Sequence, residues 1–292
     1  MRTLITGGEG QLGRALFETA SAPANVRSVG HTQLDIADRL AVERILREFE
    51  PTLVINAAGF TRVDDAERES GAAERANTTG PAILAAACQR SGTWLVQVST
   101  DYVFDGEQSR PYATDAQTNP LSVYGRTKLG GELAVSRALP SQSTIVRTSW
   151  VYSASGRNFL TTMLRLLKER SELKVVSDQI GAPTSVSGLA RTIWSLARLR
   201  ASGLYHWCDS GAASWYDFAV AISEEAHALA LLATSAAIVP ISSADYTTAA
   251  RRPRFSLLDK RNTERLLGAT APHWRCALRE TLGSLARARA TT

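Results

Sequence analysis

The chain has 292 residues, of which 44% are hydrophobic and 21% charged, as in an ordinary globular protein rather than a disordered or fibrous one. Its formal net charge is +5, and no basic arm is interleaved with aromatic residues, so an anionic small molecule is favoured over nucleic acid as the ligand. No apolar run is long enough for a signal peptide or a membrane span. We therefore expect a cytoplasmic enzyme or binding protein.

Three cysteines are widely spaced along the chain, at Cys88, Cys208 and Cys276. They form no CxxC motif and are odd in number, which argues against a zinc site and against a disulfide framework. We expect all three to be reduced residues of the core.

A glycine-rich turn lies close to the N-terminus. Thr3–Thr6 is predicted to be a buried strand, Gly7, Gly10 and Gly13 follow, and residues 14–18 have helical character. Glycines at this spacing permit a tight turn and let a diphosphate approach the backbone at a helix N-terminus. Because a strand precedes the turn and a helix follows it, a dinucleotide site is favoured over a plain strand-to-helix turn.

The second strand is predicted over residues 26–29 and ends at Gly30-His31. At this point a fold that is selective for NAD usually offers a carboxylate to the ribose 2′-hydroxyl. Here the first carboxylate is Asp35, several residues later, and His31 would suit a 2′-phosphate. The sequence favours NADPH, with NADH as the alternative.

Two further buried strands end in small or polar residues. Residues 53–56 lead into Ala57 and Ala58, whose small side chains let the backbone lie against a flat cofactor. Residues 94–98 lead into Ser99, Thr100, Asp101 and Tyr102. Polar groups at the carboxyl end of a parallel strand face the ligand crevice, so the Thr100 hydroxyl could bind a substrate carbonyl oxygen. Between these strands, a helix over residues 72–89 is predicted to kink or restart at Gly80-Pro81 and to bury Asn77.

Tyr124 and Lys128 lie four residues apart in a helix predicted to start at Ser122, so one face carries both side chains. A free tyrosine has a pKa of about 10 and is a poor proton carrier near neutrality. A neighbouring cation lowers this pKa, so the pair could act as one acid. The alternative is an ordinary pair on a solvated helix face.

The β-α alternation through residue 150 predicts an α/β fold, with a right-handed, Rossmann-like, doubly wound parallel sheet and a smaller mixed C-terminal substrate-binding region. Residues 144–152 are predicted to be one strand with an aromatic exit. A capping-box-like pair, Ser214 and Asp217, precedes a helix predicted over residues 218–232. The arginines at 251, 252 and 254 could clamp a diphosphate or form a solvated basic turn.

Taken in order, the glycine turn, Asn56-Ala57-Ala58, Ser99-Thr100 and the Tyr124 and Lys128 pair resemble an extended short-chain dehydrogenase/reductase. The closer resemblance is to the branch that reduces a dTDP-linked 4-keto sugar, and it covers nearly the whole chain. Its most specific motifs are Ser99-Thr100-Asp101-Tyr102-Val103-Phe104, Val123-Tyr124-Gly125-Arg126-Thr127-Lys128, Arg147-Thr148-Ser149-Trp150-Val151-Tyr152, Asp178-Gln179-Ile180-Gly181-Ala182-Pro183-Thr184 and Ala250-Arg251-Arg252-Pro253.

The resemblance implies reduction of the C4 ketone of dTDP-4-dehydro-β-L-rhamnose to dTDP-L-rhamnose, with hydride from NADPH or NADH. Thr100 would orient the keto oxygen, Tyr124 would donate the proton, and Lys128 would lower the tyrosine pKa and hold the nicotinamide ribose. The implied cofactor contacts are Gly7, Gly10, Gln11, Leu12, Asp35, Ile36, Ala57, Ala58, Thr61, Tyr124 and Lys128. The implied substrate contacts are Val63, Thr100, Asp101, Tyr102, Trp150 and Arg252.

The resemblance also suggests a division of the chain. Residues 1–170 would form an NADP-binding Rossmann domain to which residues 185–212 return. Residues 171–184 and 213–292 would bind the sugar nucleotide.

Other functions remain open for a chain with these motifs. Sister dehydratases carry a glutamate after Thr-Asp, where this chain has Tyr102, so dehydration is disfavoured. Another nucleotide-sugar 4-ketoreductase, or an epimerase, would share the threonine and the Tyr-x-x-x-Lys pair. A non-catalytic regulatory subunit that binds NADP would also keep them.

Some reductases of this type form dimers bridged by magnesium on glutamates. This chain has Ala15, Ser187 and Ser284 at the corresponding places, and none of them is a strong magnesium ligand. We therefore expect no such metal site and a monomer.

Overall fold

A computed structural model describes residues 1–234 and 236–290 of the chain. Its strands are β1 (Thr3–Thr6), β2 (Val26–Val29), β3 (Leu53–Asn56), β4 (Trp94–Thr100), β5 (Ser143–Thr148), β6 (Val151–Tyr152), β7 (Glu172–Val176), β8 (Ile180–Gly181), β9 (Thr184–Ser185), β10 (Gly203–His206), β11 (Ala213–Ser214) and β12 (Ala237–Ile241). Its α-helices are α1 (Gln11–Glu18), α2 (Arg39–Phe49), α3 (Val63–Arg68), α4 (Ser70–Glu74), α5 (Gly80–Ser91), α6 (Val123–Ala138), α7 (Phe159–Glu169), α8 (Val186–Arg198), α9 (Trp215–Ala228), α10 (Arg261–Leu267) and α11 (Trp274–Ala290).

The central sheet has six parallel strands in the order β2-β1-β3-β4-β5-β10. The chain runs from β1 outward to β2 and then crosses to β3 on the other side of β1. The carboxyl ends of β1 and β3 therefore flank the point where the strand order reverses, which is where open α/β sheets bind ligands. The predicted Rossmann-like parallel sheet is confirmed.

Helices cover both faces of this sheet, and the strands alternate their side chains between the two layers. On one face Ile5, Ile55 and Val96 pack with α1 and α8. On the other face, Leu4, Val54, Leu95 and Ile145 pack with α2, α5 and α6. The four inner strands, β1, β3, β4 and β5, are thus buried on both sides, as expected of a parallel sheet in an α/β protein, whereas the edge strands β2 and β10 are partly exposed.

The remaining short strands form three small pairs. β6 pairs with β9 and β7 with β12 in parallel, whereas β8 pairs with β11 in the antiparallel sense. A core of its own lies among α7, α9 and α11, centred on Phe218, Ile222 and Leu278. This region is mixed, as predicted. β10 joins the main sheet, and the exact domain boundaries remain a prediction.

Several elements differ from the sequence-based expectation. α1 begins at Gln11 rather than residue 14, because Gly10 stands at its N-cap. The strand predicted over residues 144–152 breaks at Trp150, whose φ is +46°. α9 begins at Trp215, directly after its Ser214 cap, and ends at Ala228. Neither α3 nor β12 is among the predicted elements.

The helix predicted over residues 72–89 is present and is interrupted before Gly80-Pro81, as expected. A short π-helical segment over Arg75–Thr79 precedes Gly80-Pro81, and Asn77 in this segment is buried. Cys88 and Cys208 are buried, but the prediction for Cys276 is wrong because it is exposed on α11.

The described part of the chain offers neither a membrane span nor a cluster of metal ligands. Within residues 1–234 and 236–290, no helix is long and apolar enough to cross a membrane. In the same ranges, no cluster of three His, Cys, Asp or Glu residues could hold a metal ion. The expectations of a monomer and of no magnesium bridge remain predictions.

Replacing Glu132 by Gln should destabilise the fold strongly. Arg147 on β5 donates to both carboxylate oxygens of Glu132 on α6, at 2.9 and 2.7 Å, and both side chains are buried. The substitution leaves the guanidinium buried without its counter-charge, which costs about 3–5 kcal/mol. Urea denaturation would measure the free energy of unfolding.

The matched control is Glu169→Gln, which removes the exposed ion pair with Arg165 on α7. Exposed pairs contribute about 0–1 kcal/mol, so this variant should unfold close to the wild-type midpoint. Equal losses in the two variants would show that burial does not decide the strength of the Glu132 pair.

Candidate active site

The glycine turn packs directly on the loop that follows β3. Gly7 has a φ of +69°, and a Cβ added there would lie 2.6 Å from Ala58 N and 2.7 Å from Ala57 O. A Cβ on Gly13 would lie 2.2 Å from Gly7 O. Only glycines allow these approaches. Two of the segments predicted to bind the cofactor are therefore brought together at the switch point of the sheet.

Gln11 and Leu12 begin α1, and their side chains have different surroundings. Gln11 Nε2 donates to Val151 O at 3.2 Å, and Gln11 Oε1 accepts from Ser153 Oγ at 3.0 Å. This ties the turn to β6. Leu12 is buried in the core between α1 and α8, so its side chain is not available to a ligand.

Asp35 and Ile36 lie after β2, at the far end of the crevice from Thr100. The Asp35 carboxylate accepts hydrogen bonds from Arg75 at 2.6 Å and from Ala37 N at 2.9 Å. Burial raises the pKa of Asp35, but the Arg75 guanidinium outweighs it and holds that pKa below its usual range. Ile36 is buried against Gly80, where an added Cβ would come within 2.5 Å.

The first turn of α6 is fixed by capping and by close packing. The Ser122 hydroxyl accepts from Gly125 N at 3.1 Å, and the Glu67 carboxylate of α3 accepts from Val123 N at 2.7 Å. A Cβ on Gly125 would lie 2.2 Å from Tyr102 O, so the helix rests on the backbone that follows β4. This contact aims Tyr124 at the end of β4.

Thr100 and Tyr124 meet as predicted. The Tyr124 phenol is within hydrogen-bonding reach of the Thr100 hydroxyl. The Tyr102 ring meets the Tyr124 ring edge-on, with centroids 5.5 Å apart. The Thr100 hydroxyl donates to Asp101 Oδ1 at 3.0 Å and accepts from Tyr102 N at 3.2 Å. Four predicted site residues thus form one cluster at the carboxyl end of β4.

Lys128 is buried one turn further along α6. Its Nζ donates to Val98 O at 2.6 Å, and burial lowers its pKa to about 8, opposed by Glu132. The same carbonyl ends a chain of polar contacts across the sheet, in which Thr6 donates to Asn56 at 2.6 Å, Asn56 to Gln97 at 2.7 Å, and Gln97 to Val98 O at 3.0 Å.

The pKa of the Tyr124 phenol is shifted in the direction opposite to the one expected from the sequence. The sequence predicts that Lys128 lowers the phenol pKa, but in this structure burial raises the pKa of Tyr124 to about 12, with the Thr100 hydroxyl opposing the shift. Burial of the phenol is the largest cause of this shift, and the Lys128 ammonium donates to the Val98 carbonyl instead. Burial also raises the pKa of Asp101 to about 6, and Ser256 lies beside this carboxyl group. Among the described residues, Oδ2 of Asp101 has no hydrogen bond of good geometry.

Trp150 is held in an unusual backbone conformation, since a φ of +46° is strained for a bulky residue. Its indole stacks on Trp215 at 3.5 Å between centroids and 6° between planes. A Cβ on Gly181 would lie 2.6 Å from Cε2 of the Trp150 indole. α9 and β8 therefore fix the Trp150 ring after the end of β5.

Arg252 forms a two-point ion pair with Asp64 on α3. Its Nη1 and Nη2 donate to the two carboxylate oxygens at 3.1 and 2.6 Å, and the pair is partly exposed. Val63, half-buried, precedes Asp64 at the start of α3, whereas Thr61 is exposed just before this helix. The guanidinium is positioned near Tyr102 but is already engaged by a carboxylate.

Four residues of this arrangement were not singled out for the site by the sequence. Trp215 stacks on Trp150, Asp64 orients Arg252, and Gln97 links Asn56 to Val98. Asn77 holds both Phe60 backbone groups, at 2.9 and 3.1 Å, and donates to Thr127 on α6. π-Helical segments inside α-helices are frequent at functional sites, and Asn77 lies in one. Trp215, Asp64 and Gln97 have no such local signature.

A doubly wound parallel sheet, a glycine turn at its switch point, and a threonine, tyrosine and lysine at the end of β4 are together the arrangement of the extended short-chain dehydrogenase/reductases. The sequence model of the family described as RmlD substrate binding domain matches residues 1–287. The dTDP-4-dehydrorhamnose reductase of Burkholderia thailandensis is 41% identical over 290 residues, covering 95% of this chain and 97% of that protein.

Two further proteins are similar over nearly their whole length. The dTDP-4-keto-6-deoxy-D-glucose reductase of Streptomyces niveus is 41% identical and covers 95% of each chain. The crystal structure of Bacillus anthracis dTDP-4-dehydrorhamnose reductase in complex with NADP has a TM-score of 0.91 at 36% identity, over 97% of this chain and 99% of that one. The chain therefore belongs to the dTDP-4-dehydrorhamnose reductase family, whose members are oxidoreductases, and the resemblance inferred from the sequence is confirmed.

Replacing Gly125 by Ala should impair the site while leaving most of the fold intact. The new methyl group would lie 2.2 Å from Tyr102 O and 3.0 Å from Pro120 Cβ, so α6 must move away from β4. A shift of about 1 Å at reacting groups can cost on the order of 10²-fold in rate. Steady-state turnover, with circular dichroism to verify folding, would measure this.

Gly71→Ala is the matched control, because Gly71 lies on α4 and an added Cβ meets no atom within 4 Å. Alanine there should leave turnover unchanged and raise stability by about 0.5–1 kcal/mol. Full activity in Gly125→Ala would show that the close approach of α6 is not required.

Proposed function

We propose that the protein reduces the C4 ketone of dTDP-4-dehydro-β-L-rhamnose to dTDP-L-rhamnose, using NADPH, with NADH as an alternative hydride donor. The main supporting observation is that α6 carries two groups at the end of β4, the Tyr124 phenol in reach of the Thr100 hydroxyl and, one turn later, the buried Lys128 ammonium on Val98 O. Its one hydrogen bond in the described part of the chain goes to Val98 O, which leaves donors for the ribose hydroxyls of a nicotinamide nucleotide.

The cofactor would lie over the residues at the switch point. Gly7, Gly10, Gln11 and Leu12 would present the turn and the N-terminus of α1 to the diphosphate. Ala57, Ala58 and Thr61 would line the dinucleotide after β3, and Asp35 with Ile36 would lie near the adenine. The family member from Bacillus anthracis was solved in complex with NADP, which supports NADPH as the first cofactor to test.

The bound dinucleotide would supply the hydride, and the chain would supply the proton. Tyr124, with its pKa raised to about 12, keeps its proton at neutral pH and can give it to the alkoxide oxygen that develops at C4. The phenolate that results gains from the Lys128 ammonium nearby, which is the step at which the lysine lowers the cost of ionising the tyrosine.

Thr100 would position the ketone. Its hydroxyl donates to Asp101 in this structure, and rotation about the Cβ–Oγ1 bond would turn the same proton toward a keto oxygen. Asp101 would accept that proton's hydrogen bond whenever the substrate does not, and so limit the orientations of the hydroxyl. In this proposal the proton donor and the carbonyl-binding group would lie on the same side of the ketone.

The sugar nucleotide would contact the other predicted residues. Trp150 and Tyr102 would offer aromatic surfaces to the sugar, and Val63, at the start of α3, would be a further contact. Arg252, oriented by Asp64, would offer its remaining N–H donors to the diphosphate. The substrate would then lie between the proposed Rossmann domain of residues 1–170 with 185–212 and the region of residues 171–184 with 213–292, and we propose that the protein is a monomer without bridging magnesium.

A second candidate is a 4-ketoreductase that makes another product. The Streptomyces niveus relative is as similar to this chain as the Burkholderia one, and its name specifies dTDP-4-keto-6-deoxy-D-glucose. Both reactions would use the same proton donor. Consumption of NADPH and NADH with each 4-keto sugar, with the configuration at C4 read by NMR, distinguishes them.

Tyr124→Phe should lower turnover by about 10²- to 10⁴-fold, which is the usual contribution of a positioned general acid. Cofactor affinity should stay within about twofold, since the phenyl ring keeps its packing on Tyr102. Initial rates of NADPH oxidation and fluorescence titration would measure the two effects.

Tyr205→Phe is the control for Tyr124→Phe, because its hydroxyl donates to Ser202 O at the exposed edge of β10. This variant should react at the wild-type rate. An undiminished rate in Tyr124→Phe would eliminate the phenol as the acid.

Lys128→Met should stabilise the protein while abolishing cofactor binding. Because the lysine pKa falls from an ordinary value near 10.4 to about 8 in the fold, the unfolded state binds more protons between these pH values. The buried charge therefore opposes folding below pH 8, by about 2–3 kcal/mol, and this cost fades as the pH rises toward 10.

Urea denaturation at pH 7 and at pH 10 would reveal the effect as a gap between Lys128→Met and wild type that narrows at the higher pH. Lys174→Met, at an exposed position of β7, should show no gap at either pH. A gap of constant size would mean that the titration of Lys128 is not its source.

A further inference from the structure

We propose that Glu9 is the residue that distinguishes NADH from NADPH, by placing a carboxylate where the adenosine 2′ position of the cofactor lies. The inference rests on the proposed function, because it assumes that the glycine turn holds a nicotinamide dinucleotide. It concerns a side chain of the turn itself, whereas Rossmann folds usually supply this acid from the end of the second strand.

The structure explains why β2 carries no acid at its end. β2 ends at Val29, and the next residue is Gly30. The turn is anchored to this point, since Gly8 N donates to Val29 O at 2.8 Å. A Cβ added to Gly30 would lie 2.3 Å from Glu9 Cδ and 2.5 Å from Glu9 Oε1. The Glu9 carboxylate therefore occupies the space that a side chain at the end of β2 would fill.

The charges around this position leave the Glu9 carboxylate available. Within residues 1–234 and 236–290, Glu9 belongs to no ion pair, whereas the nearby Asp35 is neutralised by Arg75 at 2.6 Å. His31 is exposed beside Gly30. An unpaired carboxylate accepts hydrogen bonds from ribose hydroxyls and repels a 2′-phosphate, while the exposed imidazole of His31 can donate a hydrogen bond to the phosphate.

The expected size of the effect follows from exposure. Glu9 is exposed, so its repulsion of a phosphate a few ångströms away is screened by water to about five- to tenfold in affinity. This does not exclude NADPH. It weakens the preference for the phosphate that His31 would otherwise create, so that both cofactors bind.

Binding of ADP-ribose and of 2′-phospho-ADP-ribose tests the inference without turnover. Isothermal titration calorimetry would give both dissociation constants for wild type and for Glu9→Gln. We expect the ratio of the two constants to shift about five- to tenfold in favour of the phosphorylated ligand in Glu9→Gln. Glu18→Gln, at the exposed end of α1, should keep the wild-type ratio.

A transfer of the acid provides the second variant. In Glu9→Gly combined with Gly30→Asp, the carboxylate returns to the end of β2 without a clash, so the wild-type ratio should be restored. An unchanged ratio in Glu9→Gln, or an equal loss of affinity for both ligands, would overturn the role of Glu9 alone. Failure of both ligands to bind the wild-type protein would overturn the proposed function as well.

Discussion

The site depends on the hydrogen bond from the Lys128 ammonium to the Val98 carbonyl. A buried charge is costly unless a strong acceptor meets it, and this acceptor belongs to the backbone of a central strand. The helix that carries Lys128 is thereby held at one height above β4. Tyr124, one turn earlier on the same face, is brought to the end of that strand, where Thr100 stands.

The acceptor is itself held by the sheet. Thr6, Asn56 and Gln97 come from three neighbouring strands. Thr6 donates a hydrogen bond to Asn56, Asn56 donates to Gln97, and Gln97 donates to Val98 O. Polar side chains are expensive in such a core unless they are satisfied in this way. The chain of contacts connects the strand that leads to the glycine turn with the strand that leads to Thr100, so the two halves of the site share one rigid support.

Missing side chains matter as much as present ones in bringing the helices close. A Cβ on Gly131 would lie 2.2 Å from Asn77 O, and one on Gly125 would lie 2.2 Å from Tyr102 O. α6 therefore rests on backbone at two points, where rotamer changes cannot relax the contact. Asn77 then fixes the loop after β3 to the same helix through Phe60 and Thr127. Site groups supported by backbone are held more precisely than groups supported by flexible side chains.

The sequence predicted what depends on neighbours along the chain. The buried strands follow from runs such as Leu53–Asn56, and the pairing of Tyr124 with Lys128 follows from helical periodicity. Contacts between distant segments could not be predicted: Arg252 and Asp64 are 188 positions apart, and Trp215 meets Trp150 only through the packing of α9. The break at Trp150 needs a tertiary clamp to hold a strained φ, and the direction of the Tyr124 pKa depends on burial that no local pattern reports.

Burial also divides the crevice into two electrostatic regimes. At the Tyr124 end, Lys128 and Asp101 are buried, so their interactions are strong and little affected by ions in solution. At the Asp35 end, Glu9, His31 and Arg75 are exposed, and each charge is weakened by water and salt. Under the proposed function, proton transfer takes place in the first region and the 2′ position of the cofactor is recognised in the second. The chemistry is therefore fixed by the fold, whereas the choice of cofactor rests on a small balance of exposed charges that a single substitution can shift.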